Sequence, residues 1–178
     1  EIFNSDSEGL RAEMSPSGAL KVSRELLGLI DSAEIEQINL SDLSKLVADQ
    51  FAENWMQSVE FLKIITDKFP KEVKAAGFLE PMAKRNRLME LYVKKLEAGE
   101  KTSRVIAAGS TGSAPSTARL LKTIANLPFG SVILPGLDCH LDEETWENIG
   151  PEHPQYGMNG LLSKIGIKRS EVTILRSV

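Results

Sequence analysis

The chain has 178 residues, 42% of them hydrophobic and 26% charged, with a formal net charge of −4 and a single cysteine. That length supports one large or two small cores at the composition of an ordinary globular protein. The charge argues against a surface that binds nucleic acid throughout, though a local basic patch is compatible with it. The lone Cys139 excludes an intrachain disulfide and suits a reducing, cytoplasmic setting. No apolar run is long enough to span a membrane, and no signal peptide opens the chain. Glu1 and Val178 read as the ends of a piece excised from something longer.

Residues 1–18 carry Asn, Ser, Asp, Gly and Pro without periodicity and read as a linker or loop. Residues 19–100 are expected to form a helical subdomain. Leu20, Leu26, Leu27 and Ile30 recur at helical spacing between Ala19 and Ser32, and Ser41-Asp42-Leu43 opens a short amphipathic stretch. The firmest pattern runs from Ala52 to Phe69, with Trp55, Val59, Leu62 and Phe69 on one side, and Pro70 is expected to end it. Another helix starts near Pro81 and runs to about Ala98, ahead of Gly99. Met82, Leu88, Met89, Tyr92, Val93 and Leu96 share one face of it, and Arg85 falls within that face. A guanidinium there must pair or reach water, so Arg85 reads either as a structural arginine or as a nucleic-acid or partner contact. Lys84, Arg87, Lys94 and Lys95 gather on another arc, either a plain solvated face or a site for DNA phosphates.

Beyond Gly99 the period changes, and residues 103–178 read as an α/β segment. Val105 to Ala108 has the length of a buried strand. A helix over residues 115–127 carries Leu120, Leu121, Ile124 and Leu127, and a second strand is expected over 131–134. This is a βαβ unit, whose strands should be parallel. Leu161 to Ile165 suggests a short helix, and Glu171 to Leu175 a further strand.

The turn between the first strand and its helix reads Gly109-Ser110-Thr111-Gly112-Ser113. Glycine-rich strand-to-helix turns hold phosphates in many α/β proteins, because the helix N-terminus offers free N–H groups. The same residues serve a turn with no ligand, with Ser113 capping the helix and Pro115 in its first turn. The loop has no Gly-Lys-Ser/Thr ending and no carboxylate at the strand's end.

Other clusters carry less chemistry. Cys139 and His140, with Asp138, Asp142 and His153 nearby, are the only residues resembling a metal or nucleophile group. Neighbours in an extended loop point apart, and one cysteine with two histidines does not make a closed zinc site, so no metal is expected. Asp142, Glu143 and Glu144 look like the acidic first turn of a short helix. His153-Pro154-Gln155-Tyr156-Gly157 reads as a held loop, with Pro154 keeping His153 extended and Gly157 allowing a turn. His153 and Tyr156 then either meet a base or partner, or plug a strand end.

Several of these stretches, in order, resemble the AddB family of double-strand break repair proteins of the alphaproteobacterial type. They are Val105 to Leu121, Leu134 to Asp138, Leu141 to Trp146 and His153 to Gly157. Upstream, Ala52 to Trp55, Phe61 to Ile64 and Lys84 to Leu88 fit the same pattern, so the resemblance covers about residue 20 to the end. It implies part of a P-loop helicase-like domain within a helicase–nuclease subunit that processes broken DNA ends with an AddA-type partner, which holds the motor. The family's nuclease domain and its iron–sulfur cluster are implied outside this chain, and no cofactor is expected within it. In active helicases of this superfamily the corresponding strand ends in an Asp-Glu pair that serves Mg²⁺ and the attacking water. Here it ends Ala107-Ala108-Gly109-Ser110, so no catalytic residue, no ATP hydrolysis and no Mg-ATP binding are expected at residues 109–113.

Two other functions fit the residues. One is a small α/β nucleotide- or phosphate-binding enzyme domain with Gly109 to Ser113 as its cradle. The other is a protein-interaction module that presents an acidic surface.

Overall fold

The computed structural model describes residues 15–45, 62–99 and 104–175. It is mixed α/β, mostly helical, with one small parallel sheet. None of the described helices is long and apolar enough to cross a membrane. The chain divides into two compact units, Glu1–Lys84 and Arg85–Val178.

The first unit opens on helix α1 (Pro16–Glu36). It begins three residues before the expected boundary because Ser15 is a working cap. Its Oγ accepts from the Gly18 N–H at 3.2 Å, and Pro16 occupies the start of the helix, where its missing N–H costs nothing. Gln37 ends the helix in the left-handed conformation. A 3-10 turn follows over Leu40–Lys45, where the short amphipathic stretch was expected. Of the expected helix from Ala52 to Phe69, the part before residue 62 lies outside the described residues. The remainder does not stop at Pro70. Ile64–Lys68 forms a π turn in which the Phe69 N–H reaches the Ile64 carbonyl, and the chain runs on as α2 (Phe69–Ala75). The widened turn accommodates a residue that has neither a donor nor room for a normal i−4 contact.

Glu80 sits near Asp31 and Glu34, and its pKa is raised, first by partial burial and then by these two carboxylates. A carboxyl whose folded pKa exceeds its unfolded one makes stability fall as pH rises through that interval. Glu80→Gln should therefore raise the melting temperature at pH 7 and change it little at pH 3. A melting curve at each pH checks this.

Helix α3 (Pro81–Glu97) begins in the first unit and continues into the second. Val93 and Leu96 are buried, and Met89 and Tyr92 are half-buried, but Leu88 is 57% exposed. It stands at the margin of the expected apolar face, too far round to reach the core.

In the second unit, β1 (Val105–Ala108) and β2 (Gly130–Ile133) are parallel neighbours, in register from Val105 with Gly130 to Ala108 with Ile133. Helix α4 (Pro115–Ala125) connects them. Gly130 starts β2 one residue earlier than expected, at a point where any Cβ would collide with the Ile124 carbonyl. The core joins Ala118 and Leu121 of α4, Trp146 of α5 (Glu143–Glu147), and Met158, Leu161, Leu162 and Ile165 of α6 (Tyr156–Ile165). Ala107 and Val132 pack on it from the sheet, and Leu134 from just beyond β2. The other sheet face carries Ile106, which is 59% exposed.

The expected strand over 171–175 is not formed. Arg169–Glu171 is a 3-10 turn, closed by the Lys168 N–H on the Glu171 carboxylate at 2.7 Å and by the Val172 N–H on the Arg169 carbonyl. Residues 172–175 then flank a groove of about 660 Å³, with β2 among its other walls, and do not join the sheet.

Candidate functional site

In open parallel sheets, ligands gather beyond the carboxyl ends of the strands. Here that region is built from the 109–113 turn after β1 and the 134–141 loop after β2. The Gly109 N–H still bonds to the Ile133 carbonyl at 3.2 Å, after which a φ of +76° turns the chain away. Gly112, at φ +60°, is buried, and a Cβ on it would run into the Leu161 side chain and stand 3.1 Å from Leu121. Its N–H donates to the Ser110 Oγ at 3.3 Å. The second glycine of the turn is thus pressed onto the core.

Ser113 does not cap the helix. The cap position falls to Ala114, extended at ψ 137° and making no side-chain cap bond. Pro115 begins the helix and holds its predecessor extended, so Ser113 stands one residue too early. The Ser113 carbonyl instead receives Lys164 Nζ at 3.5 Å. Ser110 is half-buried, and Thr111 and Ser113 are exposed.

The loop after β2 is stitched by side chains. Asp138 accepts the His140 N–H at 2.8 Å and the Leu141 N–H at 3.2 Å, and these bonds, His140 first, lower its pKa. Asp142 caps α5 through the Thr145 N–H at 2.8 Å and its hydroxyl at 2.8 Å, and its pKa is lowered chiefly by the first bond. The acidic first turn expected from Asp142-Glu143-Glu144 is therefore present. Among the described residues, no three His, Cys, Asp or Glu side chains come together as a metal-binding group. Cys139 is half-buried with Sγ 3.7 Å from the Leu137 carbonyl.

His153 opens a turn. Its Nδ1 accepts the Gln155 N–H at 3.1 Å and its carbonyl accepts the Tyr156 N–H at 2.9 Å. Gly157 lies inside α6 and makes no turn of its own. The residue that seats this loop is Gln155. Its Nε2 donates to the Gly136 carbonyl at 2.9 Å and its Oε1 accepts the Asp138 N–H at 3.1 Å. The Tyr156 side chain is exposed.

Arg169 is a further residue that motif reading missed. Its side chain is 10% exposed, lies 4.9 Å from the Trp146 ring centre, and pairs with Glu143 at 2.7 Å. It binds α5 to the 3-10 turn. A single arginine in the polar run Lys168-Arg169-Ser170-Glu171 gives no sequence signal for that.

On α3, Arg85 Nη2 donates to Thr117 Oγ1 at 3.1 Å. Lys84, Arg87, Lys94 and Lys95 are all exposed. Glu90 lies among them and takes Arg87 at 2.9 Å and Lys94 at 3.0 Å. Those bonds, Lys94 first, lower the pKa of Glu90. The basic arc is thus partly neutralised by its own carboxylate.

Comparison with family models, curated proteins and solved structures found no match to this chain.

Proposed function

We propose that this chain is a non-catalytic, helicase-like scaffold segment of a DNA double-strand break repair helicase–nuclease subunit. In this reading it guides DNA ends beside an AddA-type motor subunit and hydrolyses nothing itself. The ordered motifs that resemble AddB support the repair assignment. The observation that carries the non-catalytic part is the end of β1. Ala107-Ala108-Gly109-Ser110 offers no carboxylate for Mg²⁺ or for an attacking water. The same lack of a carboxylate disfavours a nucleotide-hydrolysing enzyme built on residues 109–113.

Isothermal titration of the chain with Mg-ATP tests this. No Mg²⁺-dependent heat and no phosphate release are expected. Micromolar Mg²⁺-dependent binding, or turnover, would remove the scaffold reading and install the nucleotide-binding one.

A further inference from the structure

Strand β2 and residues 172–175 border the same groove of the second unit, and each has what the other lacks. The Val105 N–H bonds to the Phe129 carbonyl and the Gly109 N–H to the Ile133 carbonyl, so the odd-numbered residues of β2 turn their backbone groups toward β1. The N–H groups of Val132 and Leu134 point the other way, where no strand stands among the described residues. An open edge of this kind is a template for one more strand. Val172, Thr173 and Ile174 are β-branched and suit that place. Val172 leaves the Arg169–Glu171 turn extended, at ψ 121°, and packs on the core. Two residues on, on the same face of an extended chain, Ile174 is 54% exposed, and Leu175 after it is 72% exposed. The segment is thus docked at its first residue and peeled away at the rest. Chain topology leads to the same edge independently. Helices α4 and α6 share one core and so cover one face of the sheet. Right-handed crossovers over one face step in a constant direction, so the segment after α6 arrives beside β2 on the side away from β1.

We propose that residues 172–175 are a strap that closes onto the outer edge of β2 as a third parallel strand. Closed, it carries Ile174 onto the core behind Val172, sets Leu175 on the sheet face that bears Ile133, and accepts the N–H groups of Val132 and Leu134. Burial of these side chains favours closure. The groove is then filled and the sheet edge is denied to other chains. Open, as the structure has it, both are accessible. The turn over Arg169–Glu171, pinned to α5 through the Arg169 pair with Glu143, is the fixed end from which the strap swings. The inference stands apart from the repair assignment.

The test is amide hydrogen exchange of the full 178-residue chain, read by NMR. Exchange at Val132 and Leu134 is expected to be at least about tenfold slower in the unaltered chain than in Ile174→Asp, with the α4 amides alike in both. A strap that stays open would leave the new carboxylate in solvent and β2 unaffected. Leu175→Ser carries the comparison if Ile174→Asp does not fold by circular dichroism or loosens α4 as well. Equal exchange at Val132 and Leu134 in the unaltered chain and the variant overturns the proposal. So does protection that rises with protein concentration, which gives the edge to a second copy of the chain.

Discussion

Gly112→Ala should destabilise the α/β unit by about 2–4 kcal/mol, whereas Gly109→Ala in the same turn should cost about 1 kcal/mol. Both glycines have positive φ, +60° and +76°, so both substitutions carry the left-handed strain of an L-residue. They differ in what the new methyl meets. At Gly109 nothing lies within 4 Å, but at Gly112 the methyl enters the space of Leu161, a side chain 1% exposed at the centre of the core. Leu161 cannot yield without disturbing its packed neighbours, and overpacking adds about 1–3 kcal/mol. In a unit of this size each kcal/mol lowers the melting temperature by roughly 4–8 °C. The double variant Gly112→Ala/Leu161→Ala should lose less than the sum of the single losses, because the smaller side chain makes room for the methyl. Equal costs at 109 and 112, or strict additivity in the double variant, would show that the turn is not seated on the core.

The elements that local rules govern were legible in the sequence. Val105–Ala108, its helix and the parallel partner strand followed from an apolar run, a glycine turn and a 3.6-residue period. The acidic first turn at Asp142 followed from capping chemistry. What escaped was set by contacts distant in sequence or by a one-residue shift. The role of Gly112 depends on Leu161, almost fifty residues on, and the loops after β2 are held by Gln155. Arg169 gains its place from Trp146 and Glu143. Ser113 lost the cap because Pro115 fixed the register, and residues 171–175 lost their strand to a turn closed by Glu171. Pro70, usually a stop, was passed through a π turn.

The second large effect concerns DNA, and it rests on the proposed function. Lys84, Arg87, Lys94 and Lys95 are exposed on α3, and each one that meets a phosphate should add about 0.7–0.9 to the slope of log affinity against log salt. Glu90 already engages Arg87 and Lys94, and a net charge of −4 opposes the encounter. The isolated chain should therefore bind single-stranded DNA more weakly than about 10⁻⁵ M at physiological salt, without sequence preference. Glu90→Gln should strengthen that binding by releasing both cations.

The most direct measurement is the affinity for DNA ends of the complex proposed with an AddA-type subunit, taken across a salt series, with the four basic residues of α3 intact and changed together to Ala. The account predicts weaker binding in the variant and a slope flattened by as much as about 3.6. Unchanged affinity with an unchanged slope would contradict it and leave the arc a solvated helix face.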